Sequence, residues 1–575
     1  MKERMNETRY LSTMRSSMIN FFHRPVSMLG SYVTSDLALE TIASHVGCTT
    51  SWGATQFTVG LQSCSDSIHK IKRKQMPLFA LRAAPEARSA IAQELKTLKP
   101  KVIDELSEAK DSRISESVSQ ILWKPDSFGA ILNTSSLALN TIVTWKTLVL
   151  PGFAILMPLI AVIVPYIFLK FTQSSISSAD YLQRVRGVLL QQITIPSPLR
   201  SRGADDRLGF FLESLFIGLT LAMFISSLWN QITTSLHQRA IWFDCADRGR
   251  EILATIHSAQ RMLACMKRMN VKHQRALRHV MNAGESALEK CAHVLAYDNI
   301  AAFGALWNDP TTLDALKAWI GHVDVLVSIA ALPRICFPKM IETKMLEIQG
   351  VHHPAIESCI SNNFLPSPVF HVLLTGPNRG GKSTYCKALG LAVVTAQSWG
   401  YAWADSMRFS PFSAIHTALE THGVLGNYST FEAEIEFAKA VLGAARGDCG
   451  FKTPGALKTA PLFVMMDEIF HSTNASDGVA ASKVFMQQLY AEPLVISMIS
   501  THYKELADTF RDVAVPMQLL SDEESDGRLR YSYKVAPGIS TKSSVMEILI
   551  ERGLVSGAAA AENTANKHNH TESEK

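Results

Sequence analysis

Three short clusters in this chain have the residue types and spacing to handle a polyphosphate. The first, Gly376-Pro377-Asn378-Arg379-Gly380-Gly381-Lys382-Ser383-Thr384, fits G-x-x-x-x-G-K-[ST]. Glycines at this spacing let consecutive backbone N–H groups close around phosphate oxygens, an approach that side chains would block. Lys382 has the reach for the β- and γ-phosphates, and the Ser383 hydroxyl is a hard-oxygen ligand for Mg²⁺. The second cluster is Asp467-Glu468, at the end of an apolar run. Asp467 suits a Mg²⁺ shell, and Glu468 can polarise an attacking water as general base. The third is Ser500-Thr501-His502, where His502 would meet the γ-phosphate or its water. Together they imply nucleotide binding and hydrolysis.

Such residues need strands and helices to hold them. Val369–Leu374, Leu462–Met466 and Leu494–Ser500 are apolar runs that read as buried parallel strands, each ending at one of the clusters. Tyr385–Trp399 suits a helix whose N-terminal dipole faces the anion. The polar turn Ser472-Thr473-Asn474-Ala475-Ser476-Asp477-Gly478 can face a partner subunit.

The 575 residues leave room for two to four domains, and a net charge of +5 permits an anionic partner without demanding one. Nine cysteines, an odd number spread along the chain with no C-x-x-C pair, read as reduced thiols of an intracellular protein rather than a disulfide or zinc framework. The first thirty residues mix arginines with Glu3 and Glu7 and have no apolar core, which argues against a signal peptide.

Two apolar stretches break the soluble pattern. Leu148–Leu169 carries no charge, and Leu208–Trp229 carries only Glu213. A bilayer core takes about 20 apolar residues, so both read as candidate transmembrane helices forming a hairpin. A hairpin leaves both termini, and the nucleotide site, on the cytosolic or nucleoplasmic side. The connecting loop then faces away, yet it carries Arg184, Arg186, Arg200, Arg202 and Arg207, against the positive-inside rule. A crossing hairpin, a dipping one and a single span all stay open.

Beyond them, Ile252, Ile256, Ala259, Leu263 and Met266, then Leu277, Met281, Gly284, Leu288, Cys291 and Leu295, recur at the spacing of apolar helix seams. A further helix runs from Leu313 to Ala331. The tail after Gly557 has a disordered composition.

The set GPNRGGKST, Asn427-Tyr-Ser429-Thr430-Phe431-Glu432-Ala-Glu434, MMDEIFHSTNASDG and STHYKEL resembles the ATPase domain of the MutS mismatch-repair family. His353-Pro354-x-x-Glu357 with Phe364-Leu-Pro resembles that domain's entry, and Tyr533 through Leu554 its closing strand and helical region. The resemblance covers about residues 345–555. It implies an ABC-type α/β P-loop fold that hydrolyses ATP with Mg²⁺ at a homo- or heterodimer interface. On this basis Phe364 stacks on adenine, and Ser429 and Thr430 reach the nucleotide of the opposite subunit. A weaker likeness extends outwards, through Thr50-Ser-Trp-Gly53, Ser65 to Gln75 and Asp324 to Ala330, to the family's core and lever region. The Phe-x-Glu mismatch-reading domain has no counterpart here.

The resulting plan has an N-terminal extension (1–29), a helical core-like region (30–140), a transmembrane hairpin (141–232) and helical levers (233–344). The MutS-like ATPase domain (345–556) and a disordered tail (557–575) complete it. Two functions fit: a DNA-associated, membrane-tethered ATPase of the mismatch-repair type, or a MutS-derived membrane ATPase whose nucleotide state moves membrane helices or a protein partner.

Overall fold

A computed structural model describes residues 28–30, 32–108, 113–172, 177–181, 183, 206–420, 430–447, 460–523, 529–542 and 544–552. The expected tail (557–575) and most of the loop between the apolar stretches lie outside this set. The chain forms two compact units that do not follow the linear plan. One comprises residues 1–96, 265–281 and 320–575, and the other residues 97–264 and 282–319.

The first unit holds ten strands among the described residues: β1 (Lys339–Met340), β2 (Leu346–Val351), β3 (Asn362–Phe364), β4 (His371–Thr375), β5 (Ser406–Phe409), β6 (Ala414–Ala418), β7 (Leu462–Asp467), β8 (Val495–Ser500), β9 (Val515–Glu523) and β10 (Leu529–Pro537). Six form a sheet in the order β10-β9-β4-β8-β7-β6, parallel except for the β9/β10 pair. The other four form a small sheet, β1-β5-β2-β3. Strands β4, β7 and β8 are buried along nearly their whole length, as continuous apolar runs between helix layers require. The helix after the glycine-rich loop spans Lys382–Ser398 and so begins inside the motif. Strand β4 starts later than its apolar run, at His371, because Phe370 takes a positive φ of 68°.

The N-terminal helices dock on this domain through buried polar contacts. Trp399 Nε1 donates to the Phe57 carbonyl (3.2 Å), and Gln397 Nε2 donates to the carbonyls of Ser65 (3.2 Å) and Phe412 (3.1 Å). Thr50 caps the helix Ser51–Gln62 by accepting from Gly53 N at 3.0 Å. Asp324, fully buried in the helix Asp314–Ala331, accepts from Thr49 N (3.0 Å), Thr50 N (2.7 Å) and Thr50 Oγ1 (2.7 Å). Two segments with the weaker family likeness therefore meet at one carboxylate.

Residues 28–30, at the expected end of the N-terminal extension, pair with the sheet. Leu29 pairs in parallel with Ile415, and Ile415 N donates to the Met28 carbonyl (2.8 Å) while Gly30 N donates to that of Ile415 (2.7 Å). Residues 28–30 thus cover the open edge of β6 and bury Leu29, which an exposed edge strand favours.

The second unit is helical. Asn133 organises one corner by exchanging hydrogen bonds with the Trp123 backbone and donating to Asn308 Oδ1 (2.8 Å). The first apolar stretch is helical but longer than read. Ser136–Thr144, a π turn (Trp145–Val149) and Leu150–Thr172 follow without a break. The second stretch lies within the helix Asp206–Arg268. Ser235 Oγ donates to the Thr147 carbonyl at 2.6 Å, which joins the helices just before the first stretch and just after the second. Among the described residues, Ser136–Met157 is the one helix long and apolar enough to cross a membrane, and only 11% of its apolar 18-residue window is buried. Of the predicted seams, Ile252, Ile256, Ala259, Leu263, Met266, Leu277, Gly284 and Cys291 are buried. Val280, Ala287 and Val294 take the places expected for Met281, Leu288 and Leu295, a one-residue shift round the helix.

Candidate functional site

Strand register brings the three clusters together. Leu374 of β4 and Asp467 of β7 both pair with Ser500 of β8, so the glycine-rich loop, the two acids and His502 emerge at the carboxyl ends of adjacent parallel strands. That is where open α/β sheets place ligands.

The loop from Gly376 to Gly381 leads from β4 into the helix that starts at Lys382. Gly381 is its N-cap, with φ +97°, a conformation side chains disfavour. Pro377 and Gly380 are buried, Gly376 and Gly381 partly so, and Asn378 faces solvent. Lys382 is 5% exposed and folds back to donate to the Gly376 carbonyl at 3.0 Å, its Nζ lying 3.8 Å from Glu468 Oε1. Burial lowers its pKa against the pull of Glu468 and Asp467.

Ser383 Oγ is hydrogen-bonded to Asp467 Oδ2, and Ser500 Oγ to Asp467 Oδ1. A hydroxyl and a carboxylate in contact are hard-oxygen donors that fit Mg²⁺, with Ser500 orienting the carboxylate from behind. Glu468 has a positive φ of 55°, and its carboxylate is hydrogen-bonded to His502 Nε2. A non-glycine residue held in the left-handed region stores strain of roughly 1–3 kcal/mol, which here aims the carboxylate at His502 and Lys382. The His502 hydrogen bond is the main reason the Glu468 carboxyl lies below its usual pKa, with the positive charge of Lys382 adding to it.

Two cavities flank the loop. One of ≈ 500 Å³ is lined by Ser383, Asp467, Glu468, Glu434, His471 and Tyr32. The other, ≈ 380 Å³, lies on the far side of Gly381 and is lined by Ile356, Ile360, Arg379, Thr384, Tyr385 and Tyr533. Its apolar walls and exposed tyrosine suit a heterocyclic base. Phe364 is 1% exposed and does not line this cavity, because β3 pairs it with Ile348 of β2 and turns it into the core; Leu365 beside it is half exposed.

Tyr533 presents its ring instead. It sits at a bulge between β9 and β10 with φ +54°, stitched by Asn362, whose Nδ2 donates to the Tyr533 carbonyl and whose Oδ1 accepts from Val535 N, both at 2.9 Å. A Cβ on Gly381 would lie 3.2 Å from its ring. Nothing in the sequence marks Tyr533 as a site residue, since a bulge leaves no trace in the apolar pattern. Nor does it mark Glu434, His471 or Tyr32, which converge only through tertiary packing. Glu434 Oε1 lies 3.3 Å from His471 Nδ1, Ser472 Oγ donates to Glu434 Oε2 (2.9 Å), and burial raises the Glu434 pKa. Ser429 and the Thr430 side chain lie outside the described residues; Thr430 begins the helix Thr430–Arg446.

A helical N-terminal region followed by this mixed α/β sheet domain fits the class of MutS domain V, whose family model matches residues 372–557. The chain is also 27% identical over 239 residues to the DNA mismatch repair protein MSH3 of Phaeosphaeria nodorum, across 39% of this chain and 20% of that protein. MSH3 of Pyricularia oryzae is 27% identical over 263 residues, covering 40% and 22%. The similarity relates this part of the chain to the MutS family. The matched part spans about a fifth of the length of these relatives.

Proposed function

We propose that the chain is an Mg²⁺-dependent ATPase of the mismatch-repair type, which hydrolyses ATP at a homo- or heterodimer interface and associates with DNA. The supporting observation is the joining of Ser383, Asp467 and Ser500 with Lys382, Glu468 and His502 at the ends of β4, β7 and β8. In this reading the N–H groups of Gly376–Gly381 and the Lys382 ammonium bind the phosphates. Ser383 and Asp467 would hold Mg²⁺, which when bound neutralises phosphate charge. Glu468, kept ionised by His502, accepts a hydrogen bond from the attacking water and orients it; a depressed pKa suits orientation better than full proton removal. His502 holds that carboxylate and can donate toward the phosphoryl oxygens. The base lies in the cavity beside Tyr533, and Ser429 and Thr430 of one subunit reach the nucleotide of the other. Names of the relatives and the domain match support the DNA-repair part of this reading.

The exposed helices favour a second component, a membrane tether with the ATPase domain on the cytosolic or nucleoplasmic side. Trp145, Leu148, Phe153, Ile155, Leu156 and Met157 all face outward, and a stable soluble surface rarely leaves so much apolar area uncovered. In the alternative function, nucleotide state drives movement of these helices or of a protein partner in place of mismatch recognition. Purified chain assayed for ATP turnover against Lys382→Ala tests the ATPase, which fails if the two match. Salt-dependent retention of duplex DNA then separates the readings: a steep fall with salt supports the repair type, and no retention at low salt leaves the membrane function. Loss of the protein from membranes in a carbonate wash would sink the tether.

A further inference from the structure

The segment 28–37 is fastened to the sheet domain at three levels. Its backbone pairs with Ile415 on β6, as described above. The buried Asp36 carboxylate accepts from Leu419 N at 3.0 Å, just past the end of the same strand. Between these ties Tyr32 turns inward, its ring 5.7 Å from that of Phe437, and it forms part of the wall of the cavity that holds Ser383, Asp467 and Glu468.

Phe437 belongs to the helix Thr430–Arg446. Phe431, Glu434, Phe437, Ala438 and Val441 share one face of that helix by their spacing, and Ala438 and Val441 are buried in the domain core. At its N-terminal end the same face meets the loop after β7. There Phe431 packs edge-on against Phe470 (5.9 Å), and Glu434 contacts His471 and Ser472. His471 Nδ1 in turn lies 2.7 Å from the Glu468 carbonyl oxygen. The path from Tyr32 to the backbone of Glu468 is therefore one helix face and one histidine.

We propose that Tyr32 is a positioning residue of the hydrolytic site. Through Phe437 it sets the angle at which this helix meets the loop after β7, and so holds Glu434 and His471 against the strained backbone of Glu468. The proposal rests on the ATPase reading above and adds to it a residue far upstream of the domain that the family model covers. Phosphate binding does not need Tyr32, because the glycine-rich loop and Lys382 are built on β4 and its own helix. The effect of losing the ring is thus on turnover and not on affinity.

The test uses the full chain, with steady-state turnover measured beside the dissociation constant of a non-hydrolysable ATP analogue. Tyr32→Ala is expected to lower kcat by about ten- to a hundredfold, the scale of a small misplacement of catalytic groups, with analogue affinity within about twofold. Tyr32→Phe keeps the ring and should stay within about twofold of the parent in both. Phe437→Leu removes the same contact from the other side and leaves the N-terminal segment intact, so it must reproduce the kcat loss even if Tyr32→Ala folds poorly. Parent-like kcat in Phe437→Leu, an equal loss in Tyr32→Phe, or a loss confined to affinity each overturns the proposal alone. A parent chain with no turnover removes the ATPase reading and this proposal with it.

Discussion

Replacing Asp324 gives a measurable test of how the N-terminal helices are locked to the helix that leads into the sheet domain. The carboxylate is fully buried and accepts three short hydrogen bonds from Thr49 and Thr50; Ser328 Oγ lies farther off at 3.4 Å. Hydrogen bonds to a charged group contribute about 1.5–3 kcal/mol each, and they are not additive. Asp324→Ala leaves two backbone N–H groups and a hydroxyl facing an apolar void, and we expect it to cost about 3–5 kcal/mol. Asp324→Asn keeps the shape but must turn an NH₂ toward one set of donors, for about 2–3 kcal/mol. At about 1.4 kcal/mol per decade, the alanine variant should speed hydrogen exchange at the amides of Thr49, Thr50 and Gly53 by a hundredfold to a few thousandfold. The asparagine variant should fall between it and the parent. Mass-resolved exchange of the peptide spanning residues 47–62 reads this directly. Rates within about threefold of the parent in Asp324→Ala would show that the carboxylate does not hold these segments together.

Gly381→Ala places a Cβ 3.2 Å from the Tyr533 ring at a φ of +97°, so nucleotide affinity should fall by about tenfold or more, as read by a fluorescent ATP analogue. Mixing Ser429→Ala with Lys382→Ala subunits should restore part of the turnover that each lacks alone, because a mixed dimer regains one intact composite site; full activity in a purified monomer would contradict this. The hydrogen bond from His502 keeps the Glu468 carboxyl below its usual pKa, so it stays charged at neutral pH and turnover is lost only as pH falls through that lowered value. His502→Ala should therefore move the acid limb of the kcat–pH profile upward, besides lowering the plateau, and an unmoved limb would separate the two residues.

The parts of the candidate site were legible because each is contiguous in sequence. A phosphate cradle must be glycine followed by lysine and hydroxyl, and acids at a strand end follow an apolar run. The strands and the helix were accordingly found within a few residues of their observed ends. What stayed hidden depends on tertiary placement. Tyr533 reaches Gly381 through a bulge, and Glu434 meets His471 across a helix–loop contact. Tyr32 reaches Phe437 because residues 28–30 just before it pair with the edge of β6, a placement that no local pattern marks. The burial of Phe364 was equally hidden, since strand pairing can carry an aromatic beside a site into the core. The apolar helix was visible by its lack of charge, but its start at Ser136 was not, because Trp145 and Lys146 interrupt hydropathy without interrupting the helix.

The most direct measurement is single-turnover hydrolysis of radiolabelled ATP by the Glu468→Gln protein, with bound nucleotide quantified at the same time. The carboxylate lies hydrogen-bonded to His502 and 3.8 Å from the Lys382 ammonium, so its removal as a charge should leave the phosphate cradle intact. The account predicts stoichiometric ATP binding at parental affinity with hydrolysis slowed by about a hundredfold or more. Hydrolysis at the parental rate would contradict the assignment of Glu468 to the attacking water.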